Sequence, residues 1–179
     1  MLYIFEKNIW TWSTLFFLVV SLVAIYFLRQ LVDAFDLRFH HLTDNKYIFQ
    51  DLLSVLYSNG QPTFLSTVLS FSLTVVVGPI LEELIHRGYF MNTFFPNSKY
   101  YLDVILSALI FGISHLVFSH RDPISLMFYS LGGFFYALVY RWTKNLKITI
   151  LCHSFFNFLT YAKPIWIFVY NFIYYRFFR

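Results

Sequence analysis

The sequence predicts an all-α fold: a polytopic transmembrane helix bundle of about six spans, with an active site among its core helices. Three observations lead there. Of 179 residues, 59% are hydrophobic and 12% are charged, well under the roughly 25% charged share of an ordinary soluble domain. Aromatic residues make up 23% of the chain, with 24 Phe and 14 Tyr, and amphipathic rings suit the membrane–water boundary. Apolar stretches close to the roughly 20 residues needed to cross a bilayer also recur along the chain.

The elements follow in order. The first span is expected over residues 10–28, flanked by Lys7 and Arg29. It is long and no small-residue cleavage site follows it, so it reads as an ordinary span rather than a cleavable signal peptide. A polar connector, 29–62, holds Asp33, Asp36, Arg38, His40, His41 and Asp44. Within it, 47–57 has the apolar spacing of a short amphipathic helix, lying at the interface or on the protein's own loops. The second span is 63–81, with Pro79 near its end; Pro removes a backbone donor and favours a kink. The helix should continue to about Phe95, where Pro96-Asn97-Ser98 stops it. The third span is 102–118. The fourth, 123–140, opens with Pro123, a residue suited to the first helical turn. The fifth is 146–161, and 164–178 forms a short aromatic helix. The chain thus divides into 1–62, the first span and interfacial connector; 63–162, the core helices; and 163–179, the C-terminal helix.

The formal charge of +4 comes from scattered Lys and Arg. Nucleic-acid binding would want a basic face or stripe, so no nucleic-acid partner is expected. The bilayer itself is the first partner, in a multi-pass cell-membrane protein. Six spans put both termini on one side, and the Arg141, Lys144, Lys147 loop is the strongest cytoplasmic marker, favouring a cytoplasmic N-terminus. The single Cys152 excludes an internal disulfide and a CxxC metal site.

Polar chemistry concentrates on three apolar helices. Glu82-Glu83-Leu84-Ile85-His86-Arg87 closes the second span. A charged side chain at the bilayer centre costs about 2.5–3.5 kcal/mol on insertion scales, so two adjacent carboxylates there mark a functional site. Glu83 and Arg87, at i and i+4, share a face and can pair. Glu82, about 100° away, is left free, and burial would tune it toward a general base. The next helix carries Phe111 and His115; alone, such a His is more often structural. The last carries His153 and Asn157 at i and i+4, a donor pair fit for an oxyanion or for hydrogen bonding between spans. Cys152 points about 100° from His153 and, buried, would be inert. His40 and His41 read as solvated, and His120-Arg121-Asp122 as an interface turn.

This ordered trio resembles the CAAX-protease and bacteriocin-processing family of intramembrane proteases, also called Abi. Its pattern is Glu-Glu-x-x-x-Arg, then Phe-x-x-x-His, then His-x-x-x-Asn or Asp. Here these are Glu82, Glu83 and Arg87, then Phe111 and His115, then His153 and Asn157, with Gly88 and the lead-in Gly78-Pro79-Ile80-Leu81 also fitting. The resemblance covers about 65–161. It departs at His86, where the family usually has an aromatic residue, and the chain is short beside eight-helix members.

The resemblance implies an endopeptidase acting on a membrane-associated peptide or protein: a CAAX-type C-terminus, a bacteriocin or pheromone precursor, or a membrane regulator. It implies that Glu82, helped by His115, activates a water, that His153 and Asn157 stabilise the oxyanion, and that Glu83 and Arg87 hold the helix. The cofactor is none or zinc; Glu82, His115 and His153 could hold a zinc with one open position, yet no HExxH pair is present, and the reading leans to metal-free catalysis. The compact chain suits the bacterial branch and a plasma membrane. The alternatives are a non-enzymatic immunity or scaffold protein of the same fold, and a small proton-coupled transporter with Glu82 and His115 as relay.

Overall fold

A computed structural model describes residues 11–39, 64–96, 98–117 and 123–177, and no strand occurs among them. The first helix, α1 (Trp12–Phe39), is followed by a helical run that is not uniform. It comprises α2 (Phe64–Phe71), a π-helical segment (Ser72–Val77), α3 (Gly78–Glu83) and a second π-helical segment (Leu84–Met91). Then come α4 (Leu102–His115), α5 (Pro123–Thr143) and α6 (Leu146–Phe177). Among the described residues, three stretches are long and apolar enough to cross a membrane: Trp12–Phe35, Val68–Met91 and Pro123–Thr143. Leu102–His115 and Leu146–Leu159 are shorter apolar helices. The all-α, multi-pass architecture expected from composition is therefore present.

Two boundaries differ from the sequence reading. The first helix runs eleven residues beyond Leu28, to Phe39, because its polar residues are partnered at helical spacing. Arg29 Nε donates to Asp33 Oδ2 at 3.0 Å, one turn on, and its guanidinium lies 5.4 Å from the Phe156 ring. The helix expected to begin at Pro164 is instead the continuation of α6, a single helix of 32 residues. A proline costs a membrane helix one backbone bond, a loss that such helices tolerate. The expected amphipathic helix at 47–57, like His40, His41 and His120, lies outside the described residues.

Helix ends follow local chemistry. Asn145 starts α6 by accepting the Lys147 N–H on its side-chain oxygen at 3.1 Å, the ordinary N-cap bond. At the other end of the long run, the loop before α4 is held by Arg141. It pairs with Asp103, donates to the Ser98 carbonyl at 3.0 Å and lies 4.0 Å from the Tyr101 ring centroid.

The core forms where α4, α5 and α6 meet α1 and the Glu-bearing run. One cluster centres on Ile25, Phe111, Tyr136, Val139, Ile148 and Cys152; another holds Met91, Val104, Ala137, Tyr140 and Leu146. The α4–α5 seam is close because Gly112 has no side chain: a Cβ there would lie 2.2 Å from Ser130 Oγ and 3.1 Å from the Ser130 nitrogen. Small residues permit such approach between membrane helices. Gly112→Ala is expected to lower thermal stability in detergent by roughly 1–3 kcal/mol, the usual cost of overpacking; an unchanged melting curve would show that the seam yields.

Candidate active site

The short helix α3 presents its last two residues, Glu82 and Glu83, in different directions. Glu83 points into the bundle and is fully buried, as is Arg87. Their pairing predicted from spacing is present, with Arg87 Nη1 donating to Glu83 Oε1 at 3.0 Å. Arg87 Nη2 donates to the Gly133 carbonyl at 2.6 Å, and the guanidinium sits 4.8 Å from the Phe111 ring centroid. A cation over an aromatic face gains most where water is excluded.

His153, from α6, reaches the same carboxylate, its Nδ1 lying 2.9 Å from Glu83 Oε1. A carboxylate only accepts hydrogen bonds, so Nδ1 carries a proton. That Nε2 stands 3.6 Å from Glu82 Oε2. His115, from α4, is arranged the same way. Its Nδ1 donates to the Phe111 carbonyl at 2.9 Å, and its Nε2 is 3.7 Å from Glu82 Oε2. Glu82 is the least enclosed of the group, with about a third of its side chain exposed, while its Oε2 is buried and has no hydrogen-bond partner among the described residues. Two imidazole Nε2 atoms and one carboxylate oxygen thus converge, each ring oriented by the hydrogen bond its Nδ1 makes behind it.

The structure brings together Glu82, Glu83, Arg87, His115 and His153. Asn157 makes a hydrogen bond between spans, the second of its two expected roles: its side-chain amide donates to the Thr74 carbonyl at 2.9 Å, about two turns upstream of Glu82 in the same run. His86, the departure from the family pattern, keeps an aromatic neighbour's role, its ring meeting Phe111 edge-on at 5.2 Å. Its Nδ1 donates to the Glu82 backbone carbonyl at 2.8 Å, not to a carboxylate. Cys152 is buried in the apolar cluster with Ile25 and Ile148.

Sequence reasoning missed the aromatic frame. Phe111 touches the rings of His86, His115 and His153. Tyr136 stacks on His153 with centroids 4.5 Å apart and planes 18° apart, and Tyr129 stacks on His115 at 4.6 Å and 24°. Between them Gly133 supplies the carbonyl for Arg87, and a Cβ at that position would press on Phe111 at 3.0–3.1 Å. Tyr129, Gly133 and Tyr136 fall at i, i+4 and i+7, one helix face. That spacing was the available signal, faint in a chain with 14 Tyr.

Among the described residues, no group of three or more His, Cys, Asp and Glu side chains could hold a metal ion. The donors here are acceptors facing one another across 3.6–3.7 Å, a spacing that a water can bridge.

A family model described as type II CAAX prenyl endopeptidase Rce1-like matches residues 64–159. A Mycoplasma capricolum subsp. capricolum protein named "Uncharacterized protein" is 34% identical over 112 residues, 62% of this chain and 32% of its own length. A Bacillus subtilis (strain 168) protein named "Putative membrane peptidase YdiL" is 33% identical over 82 residues, 46% of this chain and 32% of its own. The matched part is about a third of each of these curated relatives. No solved structure matches.

Proposed function

The chain belongs to the Rce1-like family, whose description is type II CAAX prenyl endopeptidase, and from that membership we propose that it is a membrane endopeptidase. Its substrate is a membrane-associated peptide or protein: a CAAX-type C-terminus, a bacteriocin or pheromone precursor, or a membrane-anchored regulator. The observation that carries the reading is the convergence of Glu82 Oε2 with the Nε2 atoms of His115 and His153.

In this reading Glu82 takes a proton from a water whose oxygen adds to the scissile carbonyl carbon, while the water's other hydrogen stays on its oxygen and is hydrogen-bonded to His115 Nε2. The carbonyl π pair moves to oxygen, giving a tetrahedral oxyanion. His153 enters the reaction as the imidazolium and donates from Nε2 to that oxygen, and the Glu83 carboxylate on its Nδ1 supports the charge, as the buried Asp supports His in the serine-protease triad. Glu82 then delivers its proton to the leaving nitrogen as the C–N bond breaks. No step is routed through a metal.

The test is cleavage of a quenched peptide library by the protein in proteoliposomes, with the Glu82→Gln protein in matched vesicles as control. Cleavage by the native protein alone, unaffected by a zinc chelator, is expected. Chelator-sensitive cleavage would place a metal in the reaction. Equal cleavage by both proteins would remove the assignment.

A further inference from the structure

In the run that bears the glutamate pair, the α-helical stretch Gly78–Glu83 has a π-helical segment on either side. A π turn accommodates an extra residue and is found mostly at functional sites. Each such residue turns everything downstream by about one residue's rotation, roughly 100°, the same angle that separates Glu82 from Glu83. Register in this run therefore decides which carboxylate faces the two histidines, which lie on other helices.

Three side chains hold the backbone in that register. Upstream, the Gly78 N–H reaches back five residues to the Leu73 carbonyl. The next residue in that register is Pro79, which has no N–H, so the Thr74 carbonyl receives the Asn157 amide instead, at 2.9 Å. Gly78 itself has room for little more than hydrogen, since a Cβ would stand 3.0 Å from the Leu73 oxygen. At the pair, His86 Nδ1 donates to the Glu82 carbonyl at 2.8 Å. Downstream, Asn92 Nδ2 reaches the Gly88 carbonyl at 2.8 Å and the Tyr140 hydroxyl at 2.7 Å.

We propose that Asn157 is a positioning residue. From α6 it replaces the backbone donor that Pro79 lacks, and so locks the π turn that aims Glu82 at His115 and His153. Its effect on turnover rests on the peptidase reading above; its effect on register does not.

The discriminating experiment restores the missing N–H. Native protein, Asn157→Leu, Pro79→Ala and the double variant are reconstituted in vesicles. Each is assayed for cleavage and for labelling of Glu82 against Glu83 by dicyclohexylcarbodiimide, read by peptide mass spectrometry. Native protein is expected to label at Glu82 and not at the fully buried, paired Glu83. Asn157→Leu should lose that selectivity and about 10²-fold in kcat, the cost of misplacing a catalytic group by about an ångström, with KM little changed. Pro79→Ala in the same chain should return both, because its N–H can donate to Thr74. Lost turnover with the labelling pattern intact, or no repair by Pro79→Ala, would overturn the proposal. If Asn157→Leu does not fold, the double variant decides: Glu82-selective labelling supports the proposal and its loss refutes it. Selective, repairable labelling in a protein that cleaves nothing would refute the peptidase reading and leave the register proposal standing.

Discussion

Glu82→Gln is expected to abolish peptide cleavage while leaving the bundle folded. A positioned general base contributes roughly 10²–10⁴-fold, and Glu82 is the only carboxylate facing both imidazole Nε2 atoms among the described residues. The substitution keeps shape and removes the proton acceptor. It should not weaken the fold, because Glu82 Oε2 has no hydrogen bond to lose among the described residues. The melting temperature should therefore hold. Loss of activity together with unfolding would contradict this division of labour, as would retained cleavage. The two readings are made on one preparation: substrate turnover in vesicles and thermal unfolding in detergent.

Arg87→Met should have the opposite signature, a large loss of stability. The guanidinium is fully buried and holds Glu83, the Gly133 carbonyl and the face of Phe111 at once. Removing one member of a buried pair strands the other, at a typical cost of about 3–5 kcal/mol. Glu83→Gln should be destabilising for the same reason, and the double variant Glu83→Gln/Arg87→Met should recover part of the loss, since no buried charge remains. Native-like yield and melting temperature for Arg87→Met would show the pair to be incidental. Failure of the double variant to recover would mean that Arg87's contacts with Gly133 and Phe111 outweigh its charge.

The separation of the two glutamates was legible from spacing alone. Glu83 and Arg87 lie one turn apart, and hydrophobic surroundings leave such charges little choice but each other. His115 and His153 were legible through motif order, since three polar motifs on three apolar helices must meet where the helices pack. What was not legible was everything decided by contacts across long sequence separations. The Glu83 to His153 bond spans 70 residues, and the Asn157 to Thr74 bond spans 83. Neither leaves a local pattern, so Glu83 read as a helix fastener and not also as the group that fixes a histidine's tautomer. Asn157 read as a donor to an oxyanion or to another span, because its helix face was known and its partner, Thr74, was not. The long α6 was missed because Pro164 is a strong local stop signal that tertiary context overrides, and α1 was cut short because charged residues after Leu28 read as loop.

The Glu83–Arg87 pair closes within four residues of one helix, while its other partners come later in the chain, Gly133 by 46 residues from Arg87 and His153 by 70 from Glu83. During synthesis this segment coils before those partners exist. A pair that neutralises itself on coiling offsets much of the cost of about 2.5–3.5 kcal/mol that each lone charge adds at the bilayer centre. The helix can therefore enter the membrane on its own account, carrying one uncompensated acid, Glu82, and the later helices dock against a charge pair already formed. Biosynthetic order, in this chain, runs from the fastener to the catalyst.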